Sequence, residues 1–290
     1  MTTGDGELAI LSRSPQLSTR NGVAYRRFGA GPQLLLLHGS SGSWTHWIRN
    51  IGALSRLRTV FALDLPGFGV SADVSPDISV DAYVEIVATA VVQMCGDDDP
   101  IDIVGFSFGG LIAAGVATLV HKRLGRLSLL TPSGFNRPTE RKLELPRRKD
   151  FGASSDGRRA FHEAMLGTVM LAHEASIDEQ AIDIQASNVE HSRFDGSHIS
   201  WSGRLLDYLD AIDRPIQLIY GDRDPMPFPS AAARAAACLE VKPTIRLDWV
   251  DGAGHWLQYE RAPAVNRLLA DFLSGIKQNQ TAERGLGYAI

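Results

Sequence analysis

The sequence predicts an α/β fold: a mostly parallel central sheet with helices on both faces, interrupted once by an inserted helical lid. Three observations predict it. Short continuous apolar runs recur along the chain, as expected of strands covered on both faces. Helix-like stretches separate these runs, and such alternation implies a parallel sheet. The alternation stops between about residues 134 and 211 and resumes after them.

Residues 22–28 (Gly-Val-Ala-Tyr-Arg-Arg-Phe) read as an early strand, followed by a Gly-Ala-Gly-Pro turn. The four leucines at 34–37 form the next strand, and a tryptophan-containing helix is predicted over 44–57. Thr-Val-Phe-Ala-Leu at 59–63 is a buried strand closed by Asp64-Leu65-Pro66-Gly67. A helix over 80–94 follows, with Ser79 as its N-cap. The strand at 101–104 runs into a tight turn and a helix at 110–117, and another strand is predicted at 127–130. Residues 134–211 contain no convincing buried strand. They are helical in pattern and carry the basic cluster Arg141, Lys142, Arg147, Arg148 and Lys149, which reads as a solvated face. A strand at 215–220, an alanine-rich helix near 230–239, a strand at 244–249 and a final helix at 262–276 complete the pattern. The expected division is a core of 1–133 and 212–276, a lid of 134–211 over the strand ends, and a loosely held tail at 277–290.

A chain of 290 residues can bury a large core. The net charge of −4 gives no support for nucleic-acid binding, and no run approaches the ~20 apolar residues of a membrane span. No signal-peptide run is visible near the start, so a cytoplasmic location is the expectation. Cys95 and Cys238 sit in helix-like contexts and read as buried free thiols. The His162-Glu163 pair fails the H-E-x-x-H zinc pattern because Leu166 stands where the second histidine belongs. Gly67-x-Gly69-x-x-Ala72 imitates a dinucleotide fingerprint without a helix to hold a pyrophosphate. No metal and no cofactor are expected. The expected partner is a small-molecule substrate, and a homodimer is compatible with the chain.

The chemistry centres on Gly105-Phe106-Ser107-Phe108-Gly109, set between a strand and a helix. A serine on such a turn presents its hydroxyl at the end of a sheet, and the glycines relieve crowding between strand and helix. A serine hydroxyl needs a base oriented by a third group. His255 lies just beyond the strand at 244–249 and Asp224 just beyond the strand at 215–220, so both fall on the sheet edge that carries Ser107. Backbone N–H groups of Phe108 and of Ser40, in the loop after residue 37, are the candidate oxyanion donors. His38 reads as a brace for that loop. Trp44, Phe106, Phe135 and Trp256 are the candidate substrate-pocket residues, Trp256 being equally a core filler, and Met165 and Met170 are further pocket candidates from the lid.

These pieces together resemble the α/β-hydrolase superfamily over about residues 20–276: His38-Gly39, Asp64-Leu65-Pro66-Gly67-Phe68-Gly69, the serine turn, Gly221-x-x-Asp224 and Gly254-His255. The resemblance implies a Ser107–Asp224–His255 triad. Asp222 competes for the acid role, and the family spacing favours Asp224. The run His255-Trp256-Leu257-Gln258-Tyr259-Glu260 is similar to the meta-cleavage-product hydrolases, which cut carbon–carbon bonds. Two features depart from that branch: Phe106 replaces its Asn, and residues 184–189 lack its lid Arg. An unpaired substrate carboxylate is costly to bury. The expectation is therefore a cofactor-independent serine hydrolase of a small, largely apolar acyl substrate, a carboxylic ester first. Carbon–carbon hydrolysis is the alternative, and a non-catalytic ligand receptor is the reading from another class.

Overall fold

A computed structural model describes residues 8–95, 99–137, 140 and 143–275. Eight strands form one sheet: β1 (Gln16–Ser18), β2 (Ala24–Phe28), β3 (Gln33–Leu37), β4 (Thr59–Leu63), β5 (Ile101–Phe106), β6 (Leu124–Leu130), β7 (Ile216–Gly221) and β8 (Arg246–Val250). Their order is β1-β2-β4-β3-β5-β6-β7-β8, with β1–β2 and β2–β4 antiparallel and every other pair parallel. The helices are α1 (Ile48–Leu54), α2 (Val80–Cys95), α3 (Phe108–Leu119), α4 (Ser155–Met165), α5 (Glu179–Glu190), α6 (Ser197–Ser200), α7 (Leu205–Ala211), α8 (Ala231–Val241), α9 (Leu257–Glu260) and α10 (Ala262–Leu273).

The apolar runs work by alternation, which is why polar residues are few in them. Leu35, Leu37, Ile101, Ile103, Leu127 and Leu129 face one core with α2, α3 and α7. Leu34, Leu36, Val104, Phe106 and Leu130 face the other with α1 and α10. Successive side chains of a strand point to opposite faces, so a strand covered on both sides is largely apolar, and the buried polar residues these strands carry are paired, Ser128 with Gln217 and Asp102 with Arg58.

Several boundaries move. The predicted helix at 44–57 is a 3-10 turn, Trp44–Trp47, capped by Ser43, followed by the shorter α1. The helix after Ser107 starts at Phe108, two residues earlier than expected. The antiparallel strand β1 is absent from the sequence reading because it is three exposed residues with no apolar pattern. Cys95 and Cys238 are buried free thiols. Between β6 and β7 the described residues contain helices and turns, and one isolated bridge, Asn136–Ser202, in place of a sheet strand. Arg147, Arg148 and Lys149 are exposed; Arg141, Lys142 and the expected tail at 277–290 lie outside the described residues. No helix among the described residues is long and apolar enough to cross a membrane.

Candidate active site

The parallel strands deliver the candidate residues to one edge. Ser107 follows β5, Asp224 follows β7, His255 follows β8, and the His38–Gly42 loop follows β3. Ser107 has φ 52° and ψ −115°, a left-handed conformation that a side-chain-bearing residue adopts at a cost of about 1–3 kcal/mol. The turn closes because its glycines have no Cβ. One on Gly109 would stand 2.3 Å from the His38 carbonyl oxygen, and one on Gly105 would stand 2.3 Å from that of Gly109.

His255 Nε2 lies 3.0 Å from Ser107 Oγ, and His255 Nδ1 lies 2.8 Å from Asp224 Oδ2. A carboxylate only accepts, so Nδ1 donates and Nε2 is left to accept from the serine hydroxyl. Asp224 is held in turn. Thr131 Oγ1 donates to Oδ2 at 2.5 Å, and the Met226 N–H donates to Oδ1 at 2.8 Å. The Asp224 side chain is fully buried, whereas Asp222 is exposed. Sequence reasoning missed Thr131, which follows β6 with φ 41° and has no motif to mark it.

The loop after β3 lies against the serine, since a Cβ on Gly39 would stand 3.3 Å from Ser107 Cβ. Two buried histidines brace it. The Leu65 N–H donates to His38 Nε2 at 2.8 Å, so Nδ1 carries the proton and donates to the Gly39 carbonyl at 2.7 Å. The Gly39 N–H in turn reaches His46 Nδ1 at 3.3 Å. Burial lowers the His38 pKa to about 4. Burial, then the neighbouring His38 and His255, lowers that of His46 well below the usual value. Both rings are therefore neutral at physiological pH.

Ser107, His255, Ser40, Phe106, Phe135 and Met170 line one cavity of about 660 Å3. That volume suits a small molecule. Phe108 is wholly buried, its ring packed on Phe68 and Tyr83, so its side chain does not reach the cavity. Trp44, expected in the pocket, lies elsewhere, and of the two readings of Trp256 the core one holds. Trp44 borders a separate cavity of about 420 Å3 beside Asp64, with the Arg26 guanidinium over its ring. Trp256 is core: it stacks on Tyr259 at 4.2 Å and donates from Nε1 to the His46 carbonyl. Met165, on α4, is not among the cavity residues.

The cavity is less apolar than the sequence suggested. Arg193, Asp195 and Arg234 also border it. Arg234 went unnoticed because nothing in an alanine-rich helix says which face meets the site. Glu260 was also missed as a support. It is buried, and its carboxylate accepts N–H bonds from Ala172, His173 and Gly254, tying the His255 loop to the chain between β6 and β7. Among the described residues, no group of three or more His, Cys, Asp or Glu could hold a metal ion.

The sequence profile of the alpha/beta hydrolase family matches residues 34–268. The chain is 27% identical over 276 residues to the dihydrolipoyllysine-residue acetyltransferase component of the acetoin cleaving system of Pseudomonas putida, covering 90% of this chain and 69% of that protein. The carboxylesterase CesB of Bacillus subtilis superposes with a TM-score of 0.75 at 20% identity, over 93% of this chain and 95% of that one. A mutant form of the meta-cleavage product hydrolase CumD gives a TM-score of 0.68 at 20% identity, over 90% of this chain and 98% of that one. Those two likenesses are of fold. With the profile match spanning most of its length, the chain belongs to the alpha/beta hydrolase family.

Proposed function

We propose that this protein is a serine hydrolase that cleaves a small carboxylic ester through an acyl-enzyme. The observation that carries the reading is the hydrogen-bonded chain Ser107–His255–Asp224 opening onto the 660 Å3 cavity. Ser107 attacks the ester carbonyl while His255 Nε2 takes its proton, and Asp224 holds the tautomer and stabilises the imidazolium. The N–H groups of Ser40 and Phe108 receive the oxyanion, a role worth about 3 kcal/mol per donor. His255 then protonates the departing alcohol. Water, activated by the same imidazole, releases the acyl group. Residues 134–211 act as a lid, contributing Phe135, Met170 and Phe194 to the cavity.

One observation favours a second reading. Arg234 supplies a cation in the cavity, so the absence of an Arg at 184–189 no longer counts against a carboxylate-bearing dienoate. Carbon–carbon hydrolysis would use the same residues, with His255 driving ketonisation first. The test is a panel of short p-nitrophenyl esters and ring-fission dienoates, run beside fluorophosphonate labelling of Ser107. Ester turnover with labelling at Ser107 supports the proposal. Dienoate cleavage orders of magnitude faster than any ester would give the second reading. No labelling and no turnover would leave a ligand receptor.

A further inference from the structure

Where the chain leaves β6 it is tied to the nucleophile and to the acid at once. The Ser107 N–H donates to the Leu130 carbonyl at 2.9 Å, and the Ser133 N–H donates to the Ser107 carbonyl at 3.0 Å. Between those two bonds stands Thr131, whose N–H continues the β6–β7 ladder by donating to the Ile219 carbonyl at 2.9 Å. Its side chain reaches across to the loop after β7, where the hydroxyl donates to Asp224 Oδ2 at 2.5 Å.

Two features separate this contact from an ordinary buried hydrogen bond. First, Thr131 has φ 41°, and a β-branched residue in the left-handed region is an outlier that persists only where its surroundings impose it. A glycine would meet that backbone at less cost, so the backbone alone does not explain the threonine. Second, the hydroxyl converges with the imidazole on one oxygen. Oδ2 also accepts from His255 Nδ1 at 2.8 Å, and Thr131 Oγ1 stands 3.4 Å from that nitrogen. The other oxygen, Oδ1, is taken by the Met226 N–H at 2.8 Å. Rotating the carboxylate would break the Thr131 and Met226 bonds together, so Oδ2 stays where the imidazole meets it.

We infer that Thr131 is a positioning residue of the proposed triad: its hydroxyl fixes Asp224 Oδ2 relative to the turn that carries Ser107, and so sets where the His255 imidazole stands between them. The inference rests on the serine-hydrolase reading above and adds a fourth side chain to it. Thr131 acts through Asp224 and takes no part in bond making.

Thr131→Val keeps the shape and branching of the side chain and removes the donor, whereas Thr131→Ser keeps the donor. On p-nitrophenyl acetate, Thr131→Val should lower kcat by about tenfold or more with KM within about threefold, because one base serves acylation and deacylation alike. Fluorophosphonate labelling of Ser107 should slow by a similar factor, and Thr131→Ser should recover most of both. The downfield proton resonance of the His255–Asp224 hydrogen bond should move in Thr131→Val and return towards its parent position in Thr131→Ser. A loss of stability alone does not produce that pattern, and thermal melting checks that each variant is folded at the assay temperature. If Thr131→Val does not fold, Thr131→Cys, a weak donor of similar size, takes its place and should also fall below the parent in kcat. A kcat and labelling rate within about twofold of the parent, or an unmoved proton resonance, would overturn the inference and leave the hydrolase reading standing. A parent protein with neither ester turnover nor labelling at Ser107 would overturn both.

Discussion

One wall of the cavity is built from strand ends and the loops that leave them: Gly39, Ser40, Phe106, Ser107 and His255. Another comes from between β6 and β7, including Met170, Phe194 and Trp201. The first is held by the sheet. β3 and β5 are paired along their length, and their leucines, isoleucines and valines are buried on both faces. The second is packed into both hydrophobic cores, through Phe135 and Phe194 on one side and Leu166 and Leu171 on the other, and is also latched at a few polar points. Glu260 accepts N–H groups from Ala172 and His173, the Trp256 N–H donates to the Met170 carbonyl at 2.7 Å, and Arg193 brackets the loop at 69–73. On the proposed function, the sheet wall carries the chemistry and the latched wall shapes the substrate. Changes on the first should appear in kcat. Changes on the second should appear in stability and selectivity.

The largest effect tests the first half of that division. Ser107→Ala should lower kcat on any accepted ester by at least about 10³-fold, with residual rate left to the oxyanion donors. Measured with the melting temperature unchanged, the loss belongs to chemistry. Turnover within tenfold of the parent would move the nucleophile off the sheet wall.

Glu260→Gln tests the latch. The amide presents an NH2 group to N–H donors that a carboxylate oxygen now accepts, leaving buried donors unpaired. Bonds to a buried charged acceptor are worth about 1.5–3 kcal/mol each, so a loss of about 3 kcal/mol is expected. That should lower the melting temperature by roughly 5 °C or more. Since the Gly254 N–H is one of the donors, at 2.7 Å, activity should fall with it. A variant as stable as the parent would show that the two walls are held together by packing alone.

Acid should loosen the sheet wall from beneath. His38 has a folded pKa near 4 against an ordinary 6.5, and His46 shifts the same way. Between those values the unfolded chain binds protons that the native state excludes. Stability therefore rises with pH across the window and is lost as pH falls through it. His38 alone contributes about 2 kcal/mol on going from about pH 7 to about pH 5. Urea midpoints measured against pH should show the fall, with a shallower slope in His38→Asn. An equal slope in that variant would assign the loss to other groups.

Much of the sheet wall was legible because its causes are local. Four leucines in a row after a Gly-Ala-Gly-Pro turn fit a short strand buried on both faces, and glycines flanking Ser107 at two residues' distance mark crowding between strand and helix. The juxtaposition of Ser107, Asp224 and His255 followed from each standing just past a strand of one parallel sheet. The latched wall was not legible, because its causes are distant in sequence. Glu260 meets Ala172 across 88 positions, and Phe135 meets Arg234 across the whole inserted segment and β7. Trp44 was misplaced, and Trp256 left between pocket and core, for a related reason. An aromatic next to a functional residue is on the correct loop, but one rotation of the backbone decides whether it faces cavity or core, and Trp256 turns inward onto Tyr259.

The smallest effect separates two parts of the inserted segment itself. α5 is pinned: Asp178 caps it and accepts from the Tyr259 hydroxyl at 2.5 Å, and its Ala181, Ile182 and Ile184 are buried. The stretch Arg148–Phe151 and α4 have no buried residue. Arg147, Arg148 and Lys149 stand exposed in succession, joined to their surroundings by the surface pair Arg147–Asp150 and by Arg148 over Phe161 at 5.9 Å. Exposed pairs of that kind contribute at most about 1 kcal/mol. Segments with few buried contacts open first. Trypsin at low ratio should therefore cut at 147–149 before any site in the core, and mass spectrometry of the two fragments identifies the bond. Because little is buried there, the nicked protein should melt within about 2 °C of the intact one. Cleavage that begins instead in α5, or a nick at 147–149 that collapses the melting transition, would show the inserted segment to be one cooperative unit with the sheet.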